Sequence, residues 1–322
     1  MAKGYAVYRS DDGGGTWTLD CQIPGRTWQA SVAKLNLAAR LLRYNVQALQ
    51  VLADGTRLAV ARDGIYRAAP GEADMSRTWS VERGSRPINL AADGRRVLFG
   101  EYGGAEMDKV GVRIYCSEDG GRHFEIAHEF GRGEVHHIHN VVTDPFADYY
   151  WVLAGDHGRT AGIGVLEKKD WAFKWVERGN QMVRTVSVLP RPDCLIYGSD
   201  TELEHNYIVR LDKQTGRHQK IHPMEGSSLY AADFDGLSLI STCVEPSAVN
   251  RSRQSCLLAS TDGVNWRAVH ALVKDRWNAL LFQLGLIVLP YVQTTAPSFG
   301  MFSGQALEGN HDRVSIFRVK DA

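Results

Sequence analysis

The sequence predicts an all-β chain folded as a six-bladed β-propeller, with a seven-bladed ring as the variant. Three observations predict it. An apolar run, a turn of the Asp-Gly type and a second apolar run recur along the 322 residues. The turns lie about 40 to 55 residues apart, near the period of a propeller blade. The chain also carries 32 glycines with 8 Trp, 12 Tyr and 10 Phe, the residues of tight turns and pleated surfaces.

The elements follow in order. Tyr5 to Leu19 forms an N-terminal hairpin around a Gly-rich turn. Ala33 to Leu42 is the one stretch of helix formers without Gly or Pro, and a helix is expected there. Six copies of the repeat come next: Leu49–Ala61, Ile88–Gly100, His139–Asp156, Arg184–Asp200, Leu229–Thr242 and Ala279–Pro290. Asp-Gly between alternating apolar runs is a hairpin signal. A second hairpin follows some copies, as in Val112–Ser117 with His123–Glu129, and Cys256–Ser260 with Trp266–His270. Four short antiparallel strands per repeat make a blade. A β-sandwich is the competing architecture, but it gives no reason for a fixed period. One domain over residues 1–322 is expected, with the N-terminal hairpin closing the ring beside Arg313–Val319.

Composition excludes several classes. Lys+Arg and Asp+Glu both number 37, so no basic surplus exists for general binding to nucleic acid. No window is apolar enough for a membrane span, and MAKGYAVYRSDDGGG lacks the apolar core of a signal peptide. The five cysteines are scattered and form no C-x-x-C pair. Reduced thiols in a cytoplasmic protein are the simplest expectation, and none is expected to act as a nucleophile. No cofactor is implied.

Three turns share a pattern. Ser10–Trp17 reads S-x-D-x-G-x-T-W, Ser117–Phe124 ends in His-Phe, and Ser260–Trp266 is one residue shorter. The Asp carboxylate can accept backbone N–H bonds inside the turn. Gly supplies positive φ. The aromatic residue can pack between neighbouring sheets. This pattern resembles the Asp box, or BNR repeat, of sialidases and related glycan-active propellers. The resemblance implies a structural hairpin between the two outer strands of a blade. Asp12, Asp119 and Asp262 are therefore not candidates for catalysis.

Propeller geometry sorts the remaining groups. With strands a to d running from axis to rim, the a–b and c–d turns lie on one face. The b–c loops and d–a connections lie on the other, where ligands usually bind. That second face collects Arg86, His137, His139, Gln181 and Arg184 before strand a. It collects Glu101, Tyr102, Asp156, His157, Asp200, Glu202, Asn206 and Tyr207 after strand b. Later blades contribute little there beyond Glu245 and Tyr291. His137 and His139 are two apart and share a side of their strand. They suit an acid and base, or two metal ligands given a third; no metal is assigned. Glu101 and Asp200 suit the carboxylate pair of a glycosidase, with Tyr102 beside them. Arg86 and Arg184 suit a substrate carboxylate, while Asp156, His157, Gln181, Glu202, Asn206 and Tyr207 line the groove.

The middle third also resembles bacterial BNR/Asp-box propellers described as glycosyl-hydrolase-like, in the stretches RGSRP (83–87), FGEY (99–102), HHIHN (136–140), WVLAGD (151–156) and YGSDTELEHNYI (197–208). The resemblance implies a carbohydrate-active enzyme, hydrolase or lyase, acting on an acidic poly- or oligosaccharide. True sialidases carry F/Y-R-I-P before the first box. Here Gln22-Ile23-Pro24 follows it and lacks the Arg. By analogy with propeller lyases, His137, His139 and Tyr102 or Tyr207 would abstract a proton beside a carboxylate that Arg184 neutralises. The alternatives are a non-catalytic glycan-binding module and a protein-interaction scaffold.

Overall fold

The computed structural model describes residues 1–25, 32, 36–234, 236–291, 293–294 and 299–318. The chain is a β-propeller protein built from short antiparallel sheets. The first sheet holds β1 (Ala2–Lys3), β2 (Ala6–Arg9) and β3 (Thr18–Gln22). Helix α1 (Asn36–Leu42) follows; Ala33–Leu35 of the expected helix lie outside the described residues.

Four four-stranded sheets and then an eight-stranded one come next. The first is β4 (Ala48–Val51), β5 (Arg57–Ala61), β6 (Gly64–Ala68) and β7 (Ser76–Ser80). The second is β8 (Ala91–Asp93), β9 (Arg96–Gly100), β10 (Val112–Ser117) and β11 (Glu125–Phe130). The third is β12 (Ile138–Thr143), β13 (Tyr149–Ala154), β14 (Gly162–Glu167) and β15 (Phe173–Arg178). The fourth is β16 (Val188–Pro190), β17 (Cys194–Gly198), β18 (Asn206–Asp212) and β19 (His218–Met224). The fifth, eight-stranded, sheet begins with β20 (Ser228–Phe234), β21 (Leu237–Val244), β22 (Gln254–Ser260) and β23 (Arg267–Val273).

The sixth expected hairpin differs. Ala279–Phe282 is a short helix, α2, and only β24 (Gly285–Val288) of that repeat is extended. β24 pairs with β21 through Cys243–Leu286 and Val244–Gly285. β25 (Gln293–Thr294) runs parallel to β20, and β26 (Phe299–Gln305) and β27 (Val314–Arg318) complete the last sheet. Ala-Leu-Leu-Phe is too short an apolar run for periodicity to separate strand from helix.

Contacts divide the chain into two compact units. One holds residues 1–143, 149–155 and 165–174; the other holds 144–148, 156–164 and 175–322. Each has the same internal logic. The second strand of each four-stranded sheet is buried, with every residue of β5 and β17 shielded from water. The fourth strand is exposed along most of its length, as in β7 and β23. Strand composition produces this gradient: LAVA of β5 and CLIYG of β17 are mostly apolar runs, whereas SRTWS of β7 is polar except for Trp79. Neighbouring sheets then pack face to face. Leu58, Val60 and Ile65 meet Leu90, Val97 and Phe99 in the first unit. Leu189, Ile196 and Ile208 meet Ala231, Ile240 and Leu258 in the second.

The three Ser-x-Asp turns take the expected shape. In each, the Ser Oγ donates to the Asp carboxylate, at 2.8 Å for Asp12, 2.8 Å for Asp119 and 3.0 Å for Asp262. Amides two to four residues on donate to the same Asp Oδ1. Trp266 is buried among fourth- and fifth-sheet side chains, and its Nε1 donates to Gly263 O at 3.1 Å. Phe124 packs against the cluster that holds Leu58. These turns join the third and fourth strands at β10–β11 and β22–β23.

Candidate active site

The loop after the second strand gathers charged and polar residues. β5 leads into Arg62, β9 into Glu101, β13 into Gly155-Asp156, β17 into Ser199-Asp200, and β21 into Glu245. A buried, fully paired strand ends there, and its next residue emerges on a loop held by the sheet beneath it. Glu245 follows the same rule as the others. Position within the repeat is the sequence signal that identifies it, and the poverty of its surroundings concealed it.

In the second unit these loops build a carboxylate cluster around one guanidinium. Arg184 follows a single 3-10 turn, Gln181–Val183, capped by Asn180, whose Oδ1 accepts from Met182 N at 3.0 Å. Its Nη2 lies 3.2 Å from Asp156 Oδ1, and its Nε 3.6 Å from Asp200 Oδ2. Its Nη1 donates to Glu202 Oε2. Only 10% of the Arg184 side chain and 6% of the Asp200 side chain is exposed, so these charges interact with little screening by water. His157 Nε2 stands 3.9 Å from Glu202 Oε1 at the exposed edge.

The electrostatics are uneven. Burial pushes Asp200 up to about 6, against the pull of Arg184, and the Asp156 and Glu202 charges add to the rise. Burial, then the Asp200 charge, pushes Glu245 up to about 7. Burial alone would lower the Arg184 value, but Asp200, Asp156 and Glu202 outweigh it and hold the guanidinium above its ordinary value. One cation thus serves three contacting carboxylates, and burial raises Asp200 and Glu245 towards neutrality.

The other expected groove residues of this unit support the cluster or lie apart from its contacts. Gln181 Nε2 donates to Asp156 O at 3.0 Å, and its Oε1 accepts from Thr201 Oγ1 at 2.7 Å. Asn206 accepts from Ser199 Oγ and Thr201 N, and donates to Thr201 O and Asn250 Oδ1. All of its ordinary hydrogen-bonding groups are engaged with protein, which makes it a brace for the loop. Tyr207 sits half-buried on β18 with Lys220 Nζ 4.3 Å from its ring centre.

In the first unit, Tyr102, His137 and His139 form a ring cluster. Tyr102 and His137 are 4.3 Å apart between ring centres, and His137 and His139 4.8 Å. Both histidines are buried. His137 Nδ1 lies 2.7 Å from Gly103 O. A carbonyl only accepts, so Nδ1 carries the hydrogen of this bond. His136 Nδ1 lies 2.6 Å from Asp108 Oδ1.

Glu101 has a different setting from the one expected. It takes Arg83 through both oxygens, at 3.1 and 2.5 Å, and accepts from Arg113 N at 2.9 Å and Tyr115 OH at 3.3 Å. Glu101 and Asp200 are therefore each matched to a different arginine, Arg83 and Arg184. Arg86 braces the segment before β4, donating to Arg43 O at 3.2 Å, Asn45 O at 3.1 Å and Gln47 Oε1 at 3.0 Å.

No protein-family model matches the sequence, and no curated protein matches it. Solved structures match at the level of fold. A chain of a mitotic checkpoint complex superposes with a TM-score of 0.57 at 9% identity, covering 100% of this chain and 85% of that one. A chain of a nidogen/laminin complex gives 0.53 at 12%, covering 88% and 94%. The dihydro-heme d1 dehydrogenase NirN, in complex with DHE, gives 0.51 at 17%, covering 85% of this chain and 54% of that one. These likenesses establish the propeller fold.

Proposed function

We propose that the chain is a carbohydrate-active enzyme of the Asp-box propeller type, and that it hydrolyses a glycosidic bond at the Arg184 cluster. The observation that carries this reading is the division of labour among its carboxylic acids. Glu245, raised to about 7, is partly protonated near neutral pH, while Glu202 is ion-paired to Arg184. Glycoside hydrolysis needs one acid to protonate the leaving oxygen and one carboxylate to activate water or attack carbon. Glu245 supplies the proton and Glu202 acts as the carboxylate. Arg184 holds Glu202 and Asp156 in place. Because Arg184 already meets three protein carboxylates, it does not serve as the partner of a substrate carboxylate, and the cluster favours an uncharged sugar at the scissile bond.

A second reading is elimination at Tyr102 and His137. It rests on the ring contact of 4.3 Å between Tyr102 and His137.

The two readings separate in one assay. Neutral and acidic oligosaccharides are screened for new reducing ends, and for the ultraviolet absorbance of an unsaturated product. Hydrolysis predicts reducing ends without absorbance. It also predicts a loss of about 100-fold or more in Glu245→Gln and Glu202→Gln. Absorbance that vanishes in His137→Ala, with both Glu variants active, supports elimination instead. No product from any substrate refutes both and leaves a binding propeller.

A further inference from the structure

Two neighbouring cavities in the first unit share Arg62 as a common wall, and neither touches the Arg184 cluster. The larger measures about 380 Å³ and is walled by Tyr5, Tyr44 and Tyr66, with Arg62 and Asp63 among its lining residues. That volume falls in the range of small-molecule sites. The smaller, about 220 Å³, is lined by Arg43, Arg62, Arg86 and Ser85. One opening therefore has aromatic faces and a carboxylate in its wall, and the next has three arginines, of which Arg86 already donates to Arg43 O, Asn45 O and Gln47 Oε1.

The chemistry of each wall is specific. Tyr5 and Tyr44 stand edge to face, with ring centres 6.1 Å apart. The Tyr66 hydroxyl donates to Asp63, at 3.1 and 2.9 Å from its two oxygens, and Arg77 Nη1 donates to Asp63 Oδ2 at 2.9 Å. A carboxylate has about four acceptor positions, so Asp63 retains capacity for a ligand hydroxyl. Burial, aided by Asp63, pushes Tyr5 up to about 12, and burial with the Asp63 bond does the same for Tyr66. Both phenols stay neutral and do not repel an anion.

Arg62 is exposed, with its guanidinium 5.8 Å from the Tyr44 ring centre. It donates to Leu42 O at 3.2 Å, and among the described residues no carboxylate pairs with it. Arg43 has a φ of 57° just past the end of α1, where glycine is the usual residue. The fold keeps an arginine in a strained position there, braced by Arg86.

We propose that this cleft binds a hexuronate-type sugar: the pyranose ring on the tyrosines, its hydroxyls to Asp63, and its carboxylate towards Arg62 and the arginine-lined cavity. Asp63 favours a singly charged, hydroxyl-bearing ligand over a polyphosphate, which it would repel. The inference stands apart from the reaction proposed above.

Titration calorimetry of the full chain with glucuronate, glucose and inorganic phosphate tests it. Glucuronate binds, and glucose binds about tenfold more weakly, the loss of one charge-assisted hydrogen bond. Arg62→Gln removes about the same factor from glucuronate and leaves glucose unchanged. Tyr66→Ala weakens both sugars, and Tyr66→Phe, which keeps the ring face, retains binding. The titration reads binding whether or not any oligosaccharide yields new reducing ends, so a failure of the hydrolase reading is distinguishable from a failure here. The proposal is overturned by any of three results: no binding of glucuronate, phosphate binding as tightly as glucuronate, or Arg62→Gln binding glucuronate like the parent chain.

Discussion

Single carboxylates in this protein differ by the company they keep, and the difference is testable. Asp119 accepts from Ser117 Oγ, the Arg122 and His123 amides and the His123 ring. Its partial burial works upwards, but those bonds outweigh it and hold the carboxyl well below its ordinary range. Removing them in Asp119→Ala lowers unfolding free energy by about 1–3 kcal/mol in a denaturant titration. Glu245 and Asp200 behave in the opposite sense. A raised value means that the folded state binds protons more readily than the unfolded chain. The contribution is complete below the ordinary values of 4.5 and 3.8, and it is lost as pH rises through about 7 and about 6. Glu245→Gln is therefore expected to be more stable than the parent above pH 7, with the difference closing in acid. Thermal melts across that window measure it, and a constant offset at every pH would contradict the assignment.

At the scale of the element, the hairpins are local and the contacts between sheets are not. Asp-Gly turns and alternating apolar runs specify β4–β5 and β8–β9 from within about a dozen residues, by short-range geometry. The end of the second strand depends on distant chain. A Cβ on Gly100 would stand 2.2 Å from Ile138 Cβ, and one on Gly198 would stand 2.4 Å from Ser228 Cβ. The backbone repeats the theme: Ile138 N donates to Glu101 O at 2.8 Å, and Ser228 N donates to Ser199 O at 3.0 Å. β9 and β17 thus press their terminal glycines against the first strand of the next sheet. Gly100→Ala and Gly198→Ala are each expected to lose about 1–3 kcal/mol, because backbone and core have no room to yield. A fall of several degrees in melting temperature reports this, and unchanged melting would show that the strands can separate. The turn glycines do related work. Gly121 and Gly263 have φ of 80° and 73° and face Leu58 and Ile196 of the preceding sheet.

At the scale of the molecule, all five cysteines are free thiols. Four are buried, and Cys256 is partly so. Burial, with the Glu118 charge adding to it, pushes Cys116 up to about 12; burial also drives Cys243 far above its ordinary value. No thiol is primed as a nucleophile. Reductant is expected to leave the melting temperature unchanged. A thiol reagent at neutral pH should label the native chain slowly, at Cys256 first, and label all five positions after denaturation. Fast labelling of a buried cysteine would show local opening of its sheet. No helix among the described residues is long and apolar enough to cross a membrane.

The sequence by itself determined the repeat, its hairpins and the Ser-x-Asp turns, because each is set by contacts between residues close along the chain. It also named most members of the Arg184 cluster, since the repeat places polar residues after every second strand. Only the tertiary structure decided how those members pair. Glu101 is bound to Arg83 and Asp200 lies against Arg184, while Glu245 joins the cluster electrostatically. Charge pairing depends on side chains from separate loops arriving at one depth of burial, and desolvation, which sets their protonation, has no signature in spacing. The replacement of the sixth hairpin by α2 has the same origin: a four-residue apolar run takes its conformation from the sheet it meets.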